Sequence, residues 1–288
     1  MLDALQQTYG LKLADVASGS SAGIGSLAYF AAGNFYAGFW EDFLSSKEFM
    51  GIGNLIRRGK PYVNIDYLID SLVKEKYPLD VDAVLGSGME LIVPLTDSDT
   101  GEVSYLTNTE GFDGCNFFDV LKASMALPLP LISYGKNVLL KDRAYFDGGY
   151  GDPLPVDHPK IKDTRKIIVL TKNKNYPLED TWLEKAITEI FRPMMKEGVY
   201  RQIKRNSELY MEKLEKISEY EKNGDIVIRP KYKLNGLNNS RKNLRNCIEL
   251  GRKDLSENEE VRMLMGELMQ SERRNFYFGQ EAEFLQYA

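Results

Sequence analysis

The sequence predicts an α/β fold, and three observations carry that prediction. Apolar runs of strand length alternate with helical patterns through the first 175 residues, the order that builds a sheet with helices packed on it. A glycine-flanked serine stretch, Ser18-Gly19-Ser20-Ser21-Ala22-Gly23, follows one such run, Leu13 to Ala17, and opens a helical one. Within Lys166–Thr171, Ile167 to Leu170 is unbroken apolar sequence of the kind that fills a buried strand. Beyond Pro177 the pattern turns mostly helical, which divides the chain into an α/β core over residues 1–175 and a helical extension over 176–288 packed on it.

Each element has its own signal. Leu2 and Leu5 share one face of a short helix over residues 1–9, closed by Gly10. A strand over Leu13–Ser18 leads through the glycine turn into a helix over Ala22–Ala32, whose small residues permit close packing on a sheet. Val16 to Trp40 holds no charged residue, but five glycines, four serines and Asn34 interrupt it, so a buried helix explains it better than a membrane span. Phe35 to Tyr77 is aromatic-rich and mostly helical around a basic loop, Arg57-Arg58-Gly59-Lys60-Pro61.

Glu90–Thr96 and Glu102–Thr107 read as a hairpin. Its turn is no calcium loop, because Glu102 and Asn108 stand where such a loop needs glycine and glutamate. Phe117–Met125 is a helix that stops before Pro128 and Pro130, and Asn137–Phe146 is extended up to Asp147-Gly148-Gly149. In the extension, Thr181-x-x-Glu184 caps a helical region that runs to about Asn223 with a break near Pro193. A strand at Asp225–Arg229 and a polar loop follow. A second capping box, Ser256-x-x-Glu259, opens a last helix before the aromatic tail Asn275–Ala288.

Charge and cysteine content exclude several classes. The net charge of −5 gives no general attraction to nucleic acid. The charge is uneven: residues 1–160 carry 12 basic against 21 acidic side chains, and residues 161–288 carry 25 against 21, so the later part is the better anionic-surface binder. Cys115 and Cys247 lie far apart and form neither a disulfide framework nor a metal pair. The sequence calls for no metal or cofactor. With no charged-then-apolar leader at its start, the chain is read as cytoplasmic. Its oligomeric state is not legible.

Gly19-x-Ser21-x-Gly23 is the pattern of a nucleophile elbow, in which a serine on a tight strand-to-helix turn exposes its hydroxyl at a helix N-terminus. The helix dipole and the Ala22 amide there suit an oxyanion formed when Ser21 attacks an ester. The glycines let the strained turn close without a Cβ colliding with the adjoining strand or helix. A serine nucleophile needs a proton acceptor, and two are open. A Ser21, Asp147, His158 triad uses the chain's one histidine, which lies beside Pro159 in a polar stretch. A dyad uses Asp147 directly, since Gly148 and Gly149 after it let the backbone turn and another segment approach.

Together, Gly19-x-Ser21-x-Gly23, Ala123-Ser124-x-Ala126-x-Pro128 and Phe146-Asp147-Gly148-Gly149, leading to an Asn-like Asp152 with Pro153, Leu154 and Pro155, resemble the patatin-like phospholipase family. The strand at Ile168-Val169-Leu170-Thr171 is similar to its bacterial branch, and the resemblance runs over most of the chain. It implies a three-layer α/β/α sandwich, calcium-independent hydrolysis of phospholipid or fatty-acyl esters through an acyl-enzyme, and transient contact with a membrane surface. It makes Ser21 the nucleophile and Asp147 its partner.

Family members begin with a strand and a Gly-Gly-Gly-x-Arg/Lys-Gly loop whose amides form the oxyanion hole. Here Met1-Leu2-Asp3-Ala4-Leu5 opens the helix that follows that loop. The expectation is then either a start at an internal methionine or a shortened protein with impaired chemistry, acting as a lipid- or protein-binding module.

Overall fold

The computed structural model describes residues 1–9, 14–57, 59–129, 137–173, 182–232 and 238–267. Gly10, Leu13, Arg58, Pro130, Thr181 of the first capping box and the tail after residue 267 lie outside them. The first helix is α1, Leu2–Tyr9. Strand β1, Val16–Ser18, runs into α2, Ala22–Ala31. The aromatic stretch folds as α3, Gly38–Ser45, and α4, Ile52–Arg57, followed by a π-helix over Tyr67–Lys76 and α5, Val81–Leu85.

Strand β2, Glu90–Asp97, is the spine of the sheet. Strand β3, Val103–Thr107, takes one edge of it in antiparallel register, from Ile92 opposite Thr107 to Thr96 opposite Val103. The other edge is shared. Strand β1 lies parallel along the first half of β2, with Ser18 opposite Ile92. Strand β5, Arg143–Asp147, lies antiparallel along the second half, with Asp147 opposite Leu95. The two strands therefore point their C-terminal ends at each other across the gap beside Val93 and Pro94.

Pro94 fits because of that gap. Its carbonyl faces the gap and accepts the Ser124 hydroxyl at 3.0 Å. A strand residue's N–H points the same way as its carbonyl, so the one that proline lacks falls where, among the described residues, no strand stands to receive it. Helix α6, Phe117–Ser124, packs with α2 against this sheet and the aromatic helices to form the main core.

The run expected to be extended from Asn137 is a hairpin. Strand β4, Val138–Leu140, pairs antiparallel with β5, and the chain reverses at Lys141, whose φ is 51°. No glycine marks this turn, which is why it reads as continuous.

The second half builds a smaller sheet. Strand β6, Ile167–Val169, pairs in parallel with β7, Ile226–Ile228. Between them run α7, Trp182–Phe191, a single turn at Arg192–Met194, and α8, Glu197–Lys222. Side chains alternate across β7 as a strand requires. Val227 joins Ile217 of α8, Val156 and Leu170 on one face, while Ile226 and Ile228 join Leu5 of α1 and Leu255, Val261, Leu264 and Met265 on the other.

The polar loop expected after β7 instead contains helix α9, Arg241–Ser256, capped by Ser240. Ser256 thus ends a helix and does not open one: its hydroxyl donates back to the Lys253 carbonyl at 3.0 Å, and Leu255 beside it is buried. The final helix, α10 over residues 259–267, is capped by Asn258, whose Oδ1 accepts the Val261 amide at 2.9 Å. Among the described residues no helix is long and apolar enough to cross a membrane.

Candidate functional site

The gap where β1 and β5 face each other is filled by the two turns the sequence singled out. Ser21 sits between β1 and α2 at φ 54° and ψ −128°, a region that strains an L-residue by roughly 1–3 kcal/mol. The strain is held by ordinary bonds on either side: the Gly23 amide donates to Ser20 O at 3.0 Å and the Ile24 amide to Ser21 O at 3.1 Å. Ser21 Oγ, turned away from the capping position, donates to Asp147 Oδ2 at 2.6 Å. The Ala22 amide has no acceptor among the described residues and lies in an exposed turn at the positive end of α2.

The glycines of the elbow are not equivalent. A Cβ on Gly19 would sit 3.0 Å from Leu27 Cδ1 and 3.3 Å from the Gly23 carbonyl carbon. One on Gly23 would meet nothing within 4 Å, so of the two glycines expected to avoid a collision only Gly19 does so.

The second turn is closed tightly. Asp147 is 2 % exposed; its Oδ1 accepts the Gly149 amide at 2.8 Å and its backbone amide donates to Ala126 O. Burial pushes the Asp147 carboxyl up to about 6, against the Ser21 and Gly149 hydrogen bonds, which favour the charged form. A Cβ on Gly148 would lie 2.1 Å from Pro94 O, so only glycine lets the loop pass over β2. At Gly149 a Cβ would be 3.1 Å from Asp147 Oδ1 and 3.5 Å from Ser20 Cβ. The structure thus brings Ser21 and Asp147 together. It leaves His158 elsewhere, edge-on to the Tyr105 ring with centroids 4.8 Å apart and its Nδ1 accepting the Lys160 amide.

A family model described as patatin-like phospholipase matches residues 1–159. The chain belongs to the patatin-like phospholipase family. That family comprises lipid acyl hydrolases, and its substrates are lipid esters. The patatin-like span contains both turns and all five strands of the main sheet, and it ends before β6. No curated protein matches the chain. Among the described residues no group of three or more His, Cys, Asp or Glu side chains is placed to hold a metal.

Sequence reading missed the residues that brace the patatin-like site from outside the match. Asn206 of α8 donates to Gly149 O at 2.9 Å, and Lys213 of α8 reaches Asp152 Oδ1 at 3.0 Å. Helical periodicity announces α8 but does not say which loop it will touch. Asp152 carried a signal, as part of the segment after Asp147-Gly148-Gly149.

Proposed function

We propose that the chain is a lipid acyl hydrolase in which Ser21 is the nucleophile and Asp147 its base. The 2.6 Å contact from Ser21 Oγ to a buried Asp147 carboxylate carries this reading. As Oγ attacks the ester carbonyl carbon, Asp147 Oδ2 takes its proton, and negative charge collects on the carbonyl oxygen. The Ala22 amide and the N-terminal end of α2 stabilise that oxyanion. Collapse breaks the bond to the alcohol, which leaves with the proton from Asp147, and Ser21 holds the acyl group as an ester. Water then attacks, Asp147 takes its proton, and the fatty acid departs as Ser21 is reprotonated. A carboxyl near 6 is mainly ionised at neutral pH yet more basic than an ordinary aspartate, which suits the role.

In this reading residues 1–175 carry the chemistry and 176–288 brace it, with β6 and β7 pairing across that boundary. The corner between α7 and α8 supports contact with a lipid surface, since it exposes the apolar side chains of Ile190 and Met194. Purified protein should hydrolyse p-nitrophenyl acyl esters and take a fluorophosphonate label at Ser21. Ser21→Ala should lose both, and a wild-type chain that shows neither overturns the proposal.

A further inference from the structure

One buried residue ties three segments of the site together. Asp152 is 3 % exposed. Its amide donates to Gly148 O at 2.8 Å, and its carbonyl accepts Ser20 Oγ at 2.6 Å, one residue before the proposed nucleophile. Its carboxylate takes the Tyr105 hydroxyl on Oδ2 at 2.6 Å and faces Lys213 Nζ across 3.0 Å from Oδ1. Lys213 also lies 2.9 Å from Asp157 Oδ2, a carboxylate further bonded to Lys216 and Tyr220. A charge this buried is tolerated only with a partner. Without the cation, the buried Asp152 carboxylate keeps only the Tyr105 hydroxyl and turns toward water, which moves the backbone to which Ser20 is bonded.

We infer that Lys213 is a positioning residue for the elbow: by neutralising Asp152 it fixes the Asp152 backbone, which holds Ser20 and so sets Ser21 against Asp147. The inference rests on Ser21 being the nucleophile. A purely structural role, gluing α8 to the core, is carried by other contacts. Ile217 and Leu214 pack with Val156, Leu170 and Val227, Gln202 Nε2 donates to Gly101 O, and Asn206 donates to Gly149 O. Lys213→Met should therefore leave α8 docked while loosening the elbow.

The test is the rate at which a fluorophosphonate labels Ser21, read beside kcat and KM for a p-nitrophenyl ester. In folded Lys213→Met, labelling and kcat should fall about tenfold together, with KM unchanged, because only the geometry of attack is disturbed. Adding Asp152→Asn removes the stranded charge and should bring both rates back to within about threefold of wild type. Lys213→Gln covers the case in which methionine prevents folding, and the same tenfold loss is expected. Wild-type labelling rates in either folded variant overturn the inference, as does a double variant no faster than Lys213→Met. A wild-type chain that takes no label removes the nucleophile reading and this inference with it.

Discussion

The two turns that meet over β2 solve opposite problems. At Ser21 the backbone is strained at one residue, the neighbours Ala22 and Gly23 are exposed, and the Ala22 amide beside the hydroxyl has no acceptor among the described residues. At Asp147 the backbone is unstrained, the side chain is sealed from water, and Gly148 is pressed against Pro94 O. In the proposed reading the open turn receives the substrate, and the closed one raises the basicity of the carboxylate that takes its proton. One site therefore needs both a turn that tolerates side chains outward and one that tolerates none inward.

The contact between the two turns carries the greatest loss. Ser21→Ala and Asp147→Asn should each lower kcat/KM by about a thousandfold or more, because each removes half of the proposed proton-transfer unit. The double variant should be no slower than the worse single one. Losses that multiply in the double variant would show that the two residues act independently and would remove the dyad.

Next comes the closed turn's backbone. In Gly148→Ala the new Cβ would have to escape a contact of 2.1 Å with a main-chain oxygen in the central strand. Backbone cannot yield as a side-chain tip can, so about 3 kcal/mol of stability should be lost, measured by urea unfolding. An unchanged midpoint would mean that the loop rides higher over β2 than this geometry allows.

The carboxylate itself supplies a third test, and its sign runs against the usual aspartate. Folding raises the Asp147 carboxyl from 3.8 to about 6, so the folded state binds its proton more tightly than the unfolded chain does. The resulting stability is fully present below 3.8 and is lost as pH rises through about 6. Ionising Asp147 in the folded protein then costs roughly 3 kcal/mol near pH 8. Asp147→Asn keeps an acceptor for the Gly149 amide without that charge and should be about 2 kcal/mol more stable than wild type near pH 8. The two should converge in acid. Activity should rise through a pH near 6 in the wild type as the base ionises.

What the sequence disclosed follows the same division. Both turns were legible because their signals are local: glycines at fixed offsets from Ser21 and Asp147. That β1 and β5 share one edge of β2 was not, since strand pairing across 50 or more residues leaves no local trace. Helix α9 escaped notice because its 16 residues are mostly polar and it is held by spaced contacts such as buried Leu255 and the ion pairs from Arg241 and Arg245 to Glu41. The reversal at Lys141 carries none of the usual turn residues at its positive φ. In the sequence Lys213 and Asn206 are two polar positions on a long helix, and only the docking of α8 onto the loop after Asp147 gives them partners.

A subtler difference lies within the open turn itself. Gly19 and Gly23 flank Ser21 symmetrically in sequence but not in space. Gly23 has an ordinary helical backbone with no positive φ and open space where a Cβ would go, so Gly23→Ala should gain about 0.5 kcal/mol from the better helix former. Gly19→Ala, which must displace the tip of Leu27 and crowd the Gly23 carbonyl carbon, should lose about 1 kcal/mol. Thermal unfolding reads both. Turnover separates two meanings of the space beside Gly23. If it is merely solvent, Gly23→Ala keeps wild-type kcat on a short p-nitrophenyl ester and a long one alike, which is the expected result for a turn open on that side. A variant that is more stable yet selectively slower on the long ester would instead show that the acyl chain passes over Gly23, placing substrate on the open turn by a route that stability alone cannot reveal.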